Sequence, residues 1–340
     1  MIAKPRSILP LACLGIVHLA VLLAGFIAPY DYAAQDRELP YAPPARIHFF
    51  DAQGQFHLRP FVYAREERVG EFRVYQELIS QRYPVHFFVH GAAFRLAGIL
   101  TSNRHAFGVD SPAYISLMGT DGYGRDVFSR VVYGGQISLL AGVLATGLSL
   151  LSGAGLGTLA GFYGGWIDAG IMRLAELFLA LPWLYLLFAV RAFLPLHISP
   201  QEAFLLVVAV IGVVGWARPA RLVRGVVLSA RERGYVLASR GFGASDFHIL
   251  RRHIFPQTSG VILTQAALLI PQYILAEVTL SFLGLGVGEP VPSWGSMLAS
   301  LQQYHVLASC WWMFFPGLVL IPVFMSYSRL SHVFQERYLS

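Results

Sequence analysis

The chain runs to 340 residues, 56% of them hydrophobic and only 13% charged, with a mean hydropathy of +0.57. That balance excludes an ordinary soluble domain and marks an integral membrane protein. The formal net charge is +6, and residues 218–252 hold eight arginines (218, 221, 224, 231, 233, 240, 251 and 252) against only Glu232 and Asp246, so the basic character of the whole chain sits in one stretch.

Crossing roughly 30 Å of hydrocarbon takes about 20 apolar residues in a helix. Six stretches meet that need: residues 8–29, 134–163, 168–190, 203–222, 259–284 and 306–328. The first follows Lys4 and Arg6 and lacks a small-x-small cleavage site, so it reads as a retained anchor, with a cleavable signal peptide as the alternative. Cys13 and Cys310 lie in or beside membrane segments and read as small packing residues, not as a disulfide framework.

Residues 31–133 carry eleven basic and eleven acidic side chains, a neutral and long segment that the positive-inside rule exempts. With the N-terminus inside, this segment lies outside, while the arginine-rich residues 218–258 and the C-terminus with Arg329 and Arg337 face the cytoplasm. The alternation in RIHFFDAQGQFHLRPFVY (46–63) predicts a β-hairpin, and VHFFVHGAAFRLAGIL (85–100) a further strand and turn. The segment is either a docking or gating surface or an insertion packed on the outer mouth. His86 and His90 have no third ligand beside them in sequence, and no metal site is expected.

Nucleotide chemistry is missing. The only lysine is Lys4, whereas a P-loop needs a lysine after its glycines. GAGLG (153–157) lies in an uncharged segment, and Gly153, Gly157 and Gly161 are spaced to let helices approach closely. Arg173 and Glu176, three apart, share a helix face and can pair. Glu277 lies deep in its segment and either lines a pathway or bonds a neighbouring helix. Pro182, Pro271 and Pro316 are expected to kink their helices.

The loop YVLASRGFGASDFHILRRHIFPQ (235–257) resembles the "EAA" signature of permease subunits of binding-protein-dependent ABC importers. Leu237, Ala238 and Ser239 stand at the triplet, Gly243 at the signature glycine, Ile249 at the apolar position, and His253 and Pro256 at the end. GTDGYGRDVFSRVVYGGQISL (119–139), with Gly119, Thr120, Asp121, Gly124, Arg125 and Asp126, is similar to the dipeptide/oligopeptide/nickel branch, C-type subunit. So are residues 161–182 and LSFLGLGVGEPVPSWGSML (280–298). The resemblance covers 119–325; Leu237 replaces the usual acidic residue and the usual tail is absent.

The resemblance implies an all-α polytopic membrane protein of about six transmembrane helices in the type I ABC importer permease fold, with a small β-containing extracytoplasmic insertion. The expected organisation is 1–30 N-terminus and first helix, 31–133 insertion, 134–331 membrane domain with its coupling loop at 225–258, and 332–340 tail. The loop would dock on a separate ABC ATPase, with Gly241 and Gly243 at a break between two short helices, Tyr235, Ala238, Ser239 and Ala244 against the partner, Leu250, Ile254 and Phe255 as anchors, and Arg240 among the steering charges. The other implied partners are a second permease subunit, an extracytoplasmic solute-binding protein and lipid, with no nucleic acid. No cofactor is expected on this chain, ATP being held by the partner subunits. An ATPase-binding scaffold that transports nothing is the alternative.

Overall fold

The computed structural model describes residues 5–68, 74–96, 100–193 and 198–338, so Lys4 lies outside the described residues. The described chain begins with α1 (Pro5–Leu22) and α2 (Ala24–Ile27), continues through five strands, and is helical thereafter. It divides into two compact units, Met1–Leu14 with Leu139–Leu280 and Pro322–Ser340, and Gly15–Ser138 with Ser281–Ile321.

In the second unit, β1 (His48–Phe50), β2 (Phe56–Glu67) and β3 (Tyr75–Pro84) form one antiparallel sheet in that order. β4 (His86–Leu96) and β5 (Leu100–Gly108) form a separate antiparallel pair. The hairpin expected within 46–63 is present. Asp51 shapes its turn, its carboxylate accepting from the amides of Gln53 and Gln55 at 3.0 and 2.9 Å. Neither β3 nor β5 was expected; β3 (YQELISQRYP) is polar on most of its length and has no clean alternation. His86 and His90 take separate partners, Asp110 at 3.3 Å and Asn103 at 3.3 Å.

Among the described residues, three helical stretches are long and apolar enough to cross a membrane: Val127–Tyr163 (α3), Asp246–Phe282 and Trp311–Glu336. Two bent pairs raise the number to five. The first expected segment contains a shorter apolar helix, Leu9–Leu22. The expected single crossing at 168–190 is instead α4 (Gly165–Ala180) and α5 (Trp183–Ala192), bent by 94°. Leu181 is extended (ψ 137°), as a residue before proline prefers, and Pro182 then opens α5. The segment expected at 203–222 is α6 (Pro200–Val214), capped by Ser199, followed after a 42° bend by α7 (Ala217–Arg231). Arg218, Arg221, Arg224 and Arg231 therefore ride on a helix rather than in a loop. Pro316 produces no kink, because it falls in the first turn of α13 (Phe315–Tyr338), where its missing N–H costs nothing; Pro271 sits inside α10 (Phe255–Phe282).

The first unit is built on a contact that only glycine permits. A Cβ on Gly153 would stand 2.7 Å from the Trp216 carbonyl oxygen, one on Gly161 2.9 Å from that of Arg224, and one on Gly157 would overlap the Ala220 carbonyl. The glycine face of α3 thus lies directly on the backbone of α7. Arg224 clamps the same helix to α4 through two hydrogen bonds to Asp168, and Arg231 donates to the Gly161 carbonyl at 3.0 Å.

The stripe separates two substitutions that look alike in sequence. Gly157→Ala drives a methyl into backbone and is expected to lower stability by about 1–3 kcal/mol. Gly155→Ala meets nothing within 4 Å and is expected to be neutral or to stabilise, by at most about 1 kcal/mol. Thermal unfolding of the two variants in detergent checks the pair, and equal melting temperatures would refute the contact.

Candidate functional site

The arginine-rich region ends in a hook. After α7 the chain forms α8 (Gly234–Gly241), turns, and enters α9 (Asp246–Ile249). α9 passes without a break through a π-helical turn, Leu250–Ile254, into α10. The second half of the hook is therefore the N-terminal extension of a long helix, not the separate short helix expected. The π turn has a local cause. Pro256 has no N–H, and its ring would meet the carbonyl of Arg252 in a regular helix.

The joint is a Schellman closure. The Gly243 amide donates to the Arg240 carbonyl at 3.0 Å and the Ala244 amide to the Ser239 carbonyl at 3.1 Å. Gly243 has φ +83°, a conformation in which a Cβ is strained, whereas Gly241 has no positive φ and simply ends α8. Ser245 then caps α9, accepting from the His248 amide at 3.3 Å.

Burial divides the hook's side chains into two sets. Val236, Ile249 and Ile254 are at most 1% exposed and pack with Phe162, Val223, Val227 and Ala230. Ile249 and Ile254 thus fasten the hook to its own chain, and Ile254 is not the partner anchor that the sequence suggested. Leu250 is partly buried against the same core. The large apolar side chains left outside are Tyr235 (43%), Leu237 (54%), Phe242 (92%), Phe247 (71%) and Phe255 (63%). Sequence reasoning missed Phe242 and Phe247, although each lies one or two residues from the turn where a side chain has little of its own chain to cover it. Ala238 and Arg240 are exposed, and Ser239 and Ala244 half-buried. The Arg240 guanidinium lies 5.5 Å from the centre of the Phe162 ring, and the Tyr235 ring 5.5 Å from that of His253.

The GTDGYGRD motif (119–126) forms a tight loop in the other unit. Asp121 Oδ1 accepts from the amides of Tyr123 (2.8 Å) and Arg125 (3.1 Å), and Oδ2 accepts from Arg125 Nε at 2.7 Å. Gly119 (φ +74°) and Gly124 (φ +73°) make the turns; the backbone of Asp36 occupies the space where a Cβ on Gly124 would stand. Thr120 donates to the Leu39 carbonyl, accepts from the Ala42 amide at 2.7 Å, and offers its own carbonyl to the Trp312 indole at 3.0 Å. Asp126 caps α3, accepting from the Ser129 amide and hydroxyl at 2.8 and 2.6 Å.

Glu289 joins the two stretches of sequence that resembled the same branch. Arg125 donates to both of its carboxylate oxygens (2.6 and 3.1 Å), and Arg130 lies 3.2 Å away. Burial would push the Glu289 carboxyl up, but the Arg125 hydrogen bonds and the charges of Arg130 and Arg125 outweigh it and hold the group below the usual glutamate range.

The intramembrane candidates separate. Arg173 and Glu176 are a highly exposed pair at 3.3 Å, a geometry worth at most about 1 kcal/mol in water. Glu277 is fully buried, not on an open wall.

Residues 153–340 match the family described as "Binding-protein-dependent transport system inner membrane component". The chain belongs to that family. It is 38% identical over 219 residues to the dipeptide transport system permease protein DppC of Bacillus subtilis (strain 168), covering 64% of this chain and 66%, just under two thirds, of that protein. It is 35% identical over 240 residues to the dipeptide permease DppC of Alkalihalophilus pseudofirmus, covering 69% and 77% respectively. It is 39% identical over 211 residues to the oligopeptide transport system permease protein OppC of Bacillus subtilis (strain 168), covering 61% and 66%. A solved amino acid ABC transporter with histidines aligns at a TM-score of 0.45 with 18% identity, over 62% of this chain and 94% of that one, a likeness that carries no argument.

The Glu289 network has a pH signature. A carboxylate with a depressed folded pKa adds stability above the ordinary glutamate range, about 4.3, and loses it as pH falls through the depressed value. Melting temperature followed from pH 7 downward is expected to fall at the acid end in the wild type, whereas Glu289→Gln starts lower and has a flatter acid limb. Arg125→Met, which strips a buried cation from both Asp121 and Glu289, is expected to cost more, toward the low end of about 3–5 kcal/mol because Arg130 remains.

Proposed function

We propose that this protein is a permease subunit of an ATP-driven importer, forming half of the path for peptides delivered by an extracytoplasmic binding protein. A second permease subunit forms the other half, and a separate pair of ATPases supplies the energy. Family membership and relatives named as dipeptide and oligopeptide permeases support the class and the substrate. ATP belongs to the ATPase partner; the chain itself is a non-catalytic subunit whose hook faces the cytoplasm.

The observation that carries the ATPase contact is the hook's division of side chains. Its buried set is anchored to α7 and α3, while Leu237, Phe242, Phe247 and Phe255 project apolar surface beside Arg233, Arg240, Arg251 and Arg252. Apolar anchors inside a charged rim are what a protein–protein contact uses. Leu237 in place of an acidic residue removes one ion pair, a loss of about 0–1 kcal/mol at an exposed site, and adds apolar contact instead. Closure of the ATPases on nucleotide would move the hook and, through it, the membrane helices, exposing the path alternately to the two sides.

The test is retention of the ATPase subunits by the tagged chain, alongside peptide uptake in cells that lack the equivalent permease. Phe242→Asp is expected to reduce retention at least tenfold with melting temperature unchanged, because its side chain is 92% exposed. Gly243→Val is expected to do the same by straining the joint, while Gly241→Ala keeps wild-type retention. Full retention in Phe242→Asp and Gly243→Val together would remove the hook from the ATPase interface. Retained ATPase with no uptake by the wild type would favour a scaffold.

A further inference from the structure

The first unit holds a cavity of about 490 Å³ at the place where its helices are interrupted. The α4–α5 bend contributes Leu181, Pro182 and Trp183; the α6–α7 bend contributes Val214, Gly215 and Arg218; and α10 contributes Gln272 and Tyr273, directly after Pro271. Interrupted backbone at membrane depth is tolerated where it is buried in protein or lines a wet cavity. Two interruptions and a proline-bearing helix around one space mark that space as built.

Its wall has a definite chemistry. Phe178, Leu187, Ile211 and Leu269 stand for a predominantly apolar and aromatic lining. Arg218 and Gln272 are the exposed polar side chains of the lining, and no acidic side chain takes part among the described residues. Tyr273 is buried and committed: its hydroxyl lies 3.0 Å from the Ser149 hydroxyl and 3.4 Å from the Gly215 carbonyl, and a Cβ on Gly215 would overlap it. That contact fixes the α6–α7 bend against α10 and leaves Arg218 and Gln272 to meet a solute. Arg218 stands four residues after Val214, the last residue of the apolar helix α6, and a charge that faces a cavity between such helices is a functional candidate. Its neighbour on the same helix, Arg224, is neutralised by Asp168. No ion pair is formed by Arg218 among the described residues.

We propose that this cavity is a solute-contact site for the free carboxylate of an apolar peptide, with Arg218 as the specificity-determining cation, Gln272 as a second hydrogen-bond donor, and the apolar wall around the side chains. Arg218 would bind both carboxylate oxygens through its planar donor pair. The absence of an acidic wall residue means that this chain favours solutes with an anionic end and offers nothing to an ammonium group. The inference rests on the peptide-import reading above and deepens it.

The experiment uses the complete importer, this chain with its second permease, ATPases and binding protein, in proteoliposomes. Uptake of radiolabelled dileucine is compared with that of dileucine amide, which lacks the carboxylate. The wild type is expected to favour dileucine at least tenfold, Arg218→Lys to keep part of that ratio, and Arg218→Gln to bring it close to one. Binding of both probes to the isolated binding protein is measured in parallel, and the ratio is corrected for any preference found there. A corrected ratio of one in the wild type, or an unchanged ratio in Arg218→Gln, overturns the carboxylate site while leaving peptide import standing. Loss of assembly in Arg218→Gln and Arg218→Lys alike overturns it in favour of a cavity filled by the second permease. A wild type that moves neither probe overturns the import reading and this inference with it.

Discussion

The backbone-to-backbone contact between α3 and α7 governs what the first unit can do. Gly153, Gly157 and Gly161 remove every side chain from one face of α3, so the helix lies on the carbonyls of Trp216, Ala220 and Arg224. Within a membrane there is little hydrophobic gain in joining two apolar helices, and close approach is what stabilises their association. The contact also determines which face of α7 points elsewhere. Val223, Val227 and Ala230 turn to the core beneath the hook, and Arg224 is left positioned to meet Asp168.

The hook follows from that arrangement. Its joint is local, since a glycine at φ +83° and a Schellman closure will form wherever the flanking helices allow it. Its orientation is not local. Val236, Ile249 and Ile254 come from both of its arms and enter the same core as α7 and Phe162. A rigid joint with buried roots presents Phe242 and Phe247 at the tip without needing those two residues to hold anything in place. The other unit uses charge in the same manner. Arg125 and Arg130 converge on Glu289, 164 and 159 residues away in sequence, and so tie the entry of α3 to the GEPVPSW segment.

Much of this was legible in the sequence. Hydropathy gave the membrane class, the glycine spacing gave the α3 contact, and alternation in 46–63 gave the hairpin, because each is a period or a count that survives without tertiary information. The bends were only half legible. Pro182 marked one, but that it divides a span by 94° depends on what α4 and α5 pack against. The α6–α7 bend has Pro219, whose ring would meet the Gly215 carbonyl in a continuous helix, but the Tyr273 hydroxyl pressed on Gly215 comes from a helix nearly sixty residues later. The hook was legible as a motif and illegible as a surface. Ile254 looks like an anchor for a partner when read in a line, and only packing reveals that it faces inward with Ile249. Nothing in the line of sequence marks Phe242, beside the glycine, as the most exposed of the hook's large side chains. Glu289 carried no signal, because nothing in a sequence of this kind says which of two distant arginines a glutamate will meet.

One helix then joins the two proposed activities. α7 contributes Ala217 and Arg218 to the wall of the cavity, and Val223, Val227 and Ala230 to the core that roots the hook. Its 15 residues span about 22 Å, at 1.5 Å of rise per residue. A helix of that length, fixed along one face by the α3 glycines, moves as a rigid body more readily than it bends. Pressure on the hook therefore arrives at Arg218 as displacement or rotation of the whole helix, with the Gly215–Trp216 bend as the compliant point next to it. The bend is close-packed on one side by Tyr273 and open to the cavity on the other, so the cavity side is where the change in shape must appear. Placing the cation Arg218 of the cavity wall directly after the compliant point puts the charge where a small rotation of α7 alters its reach most.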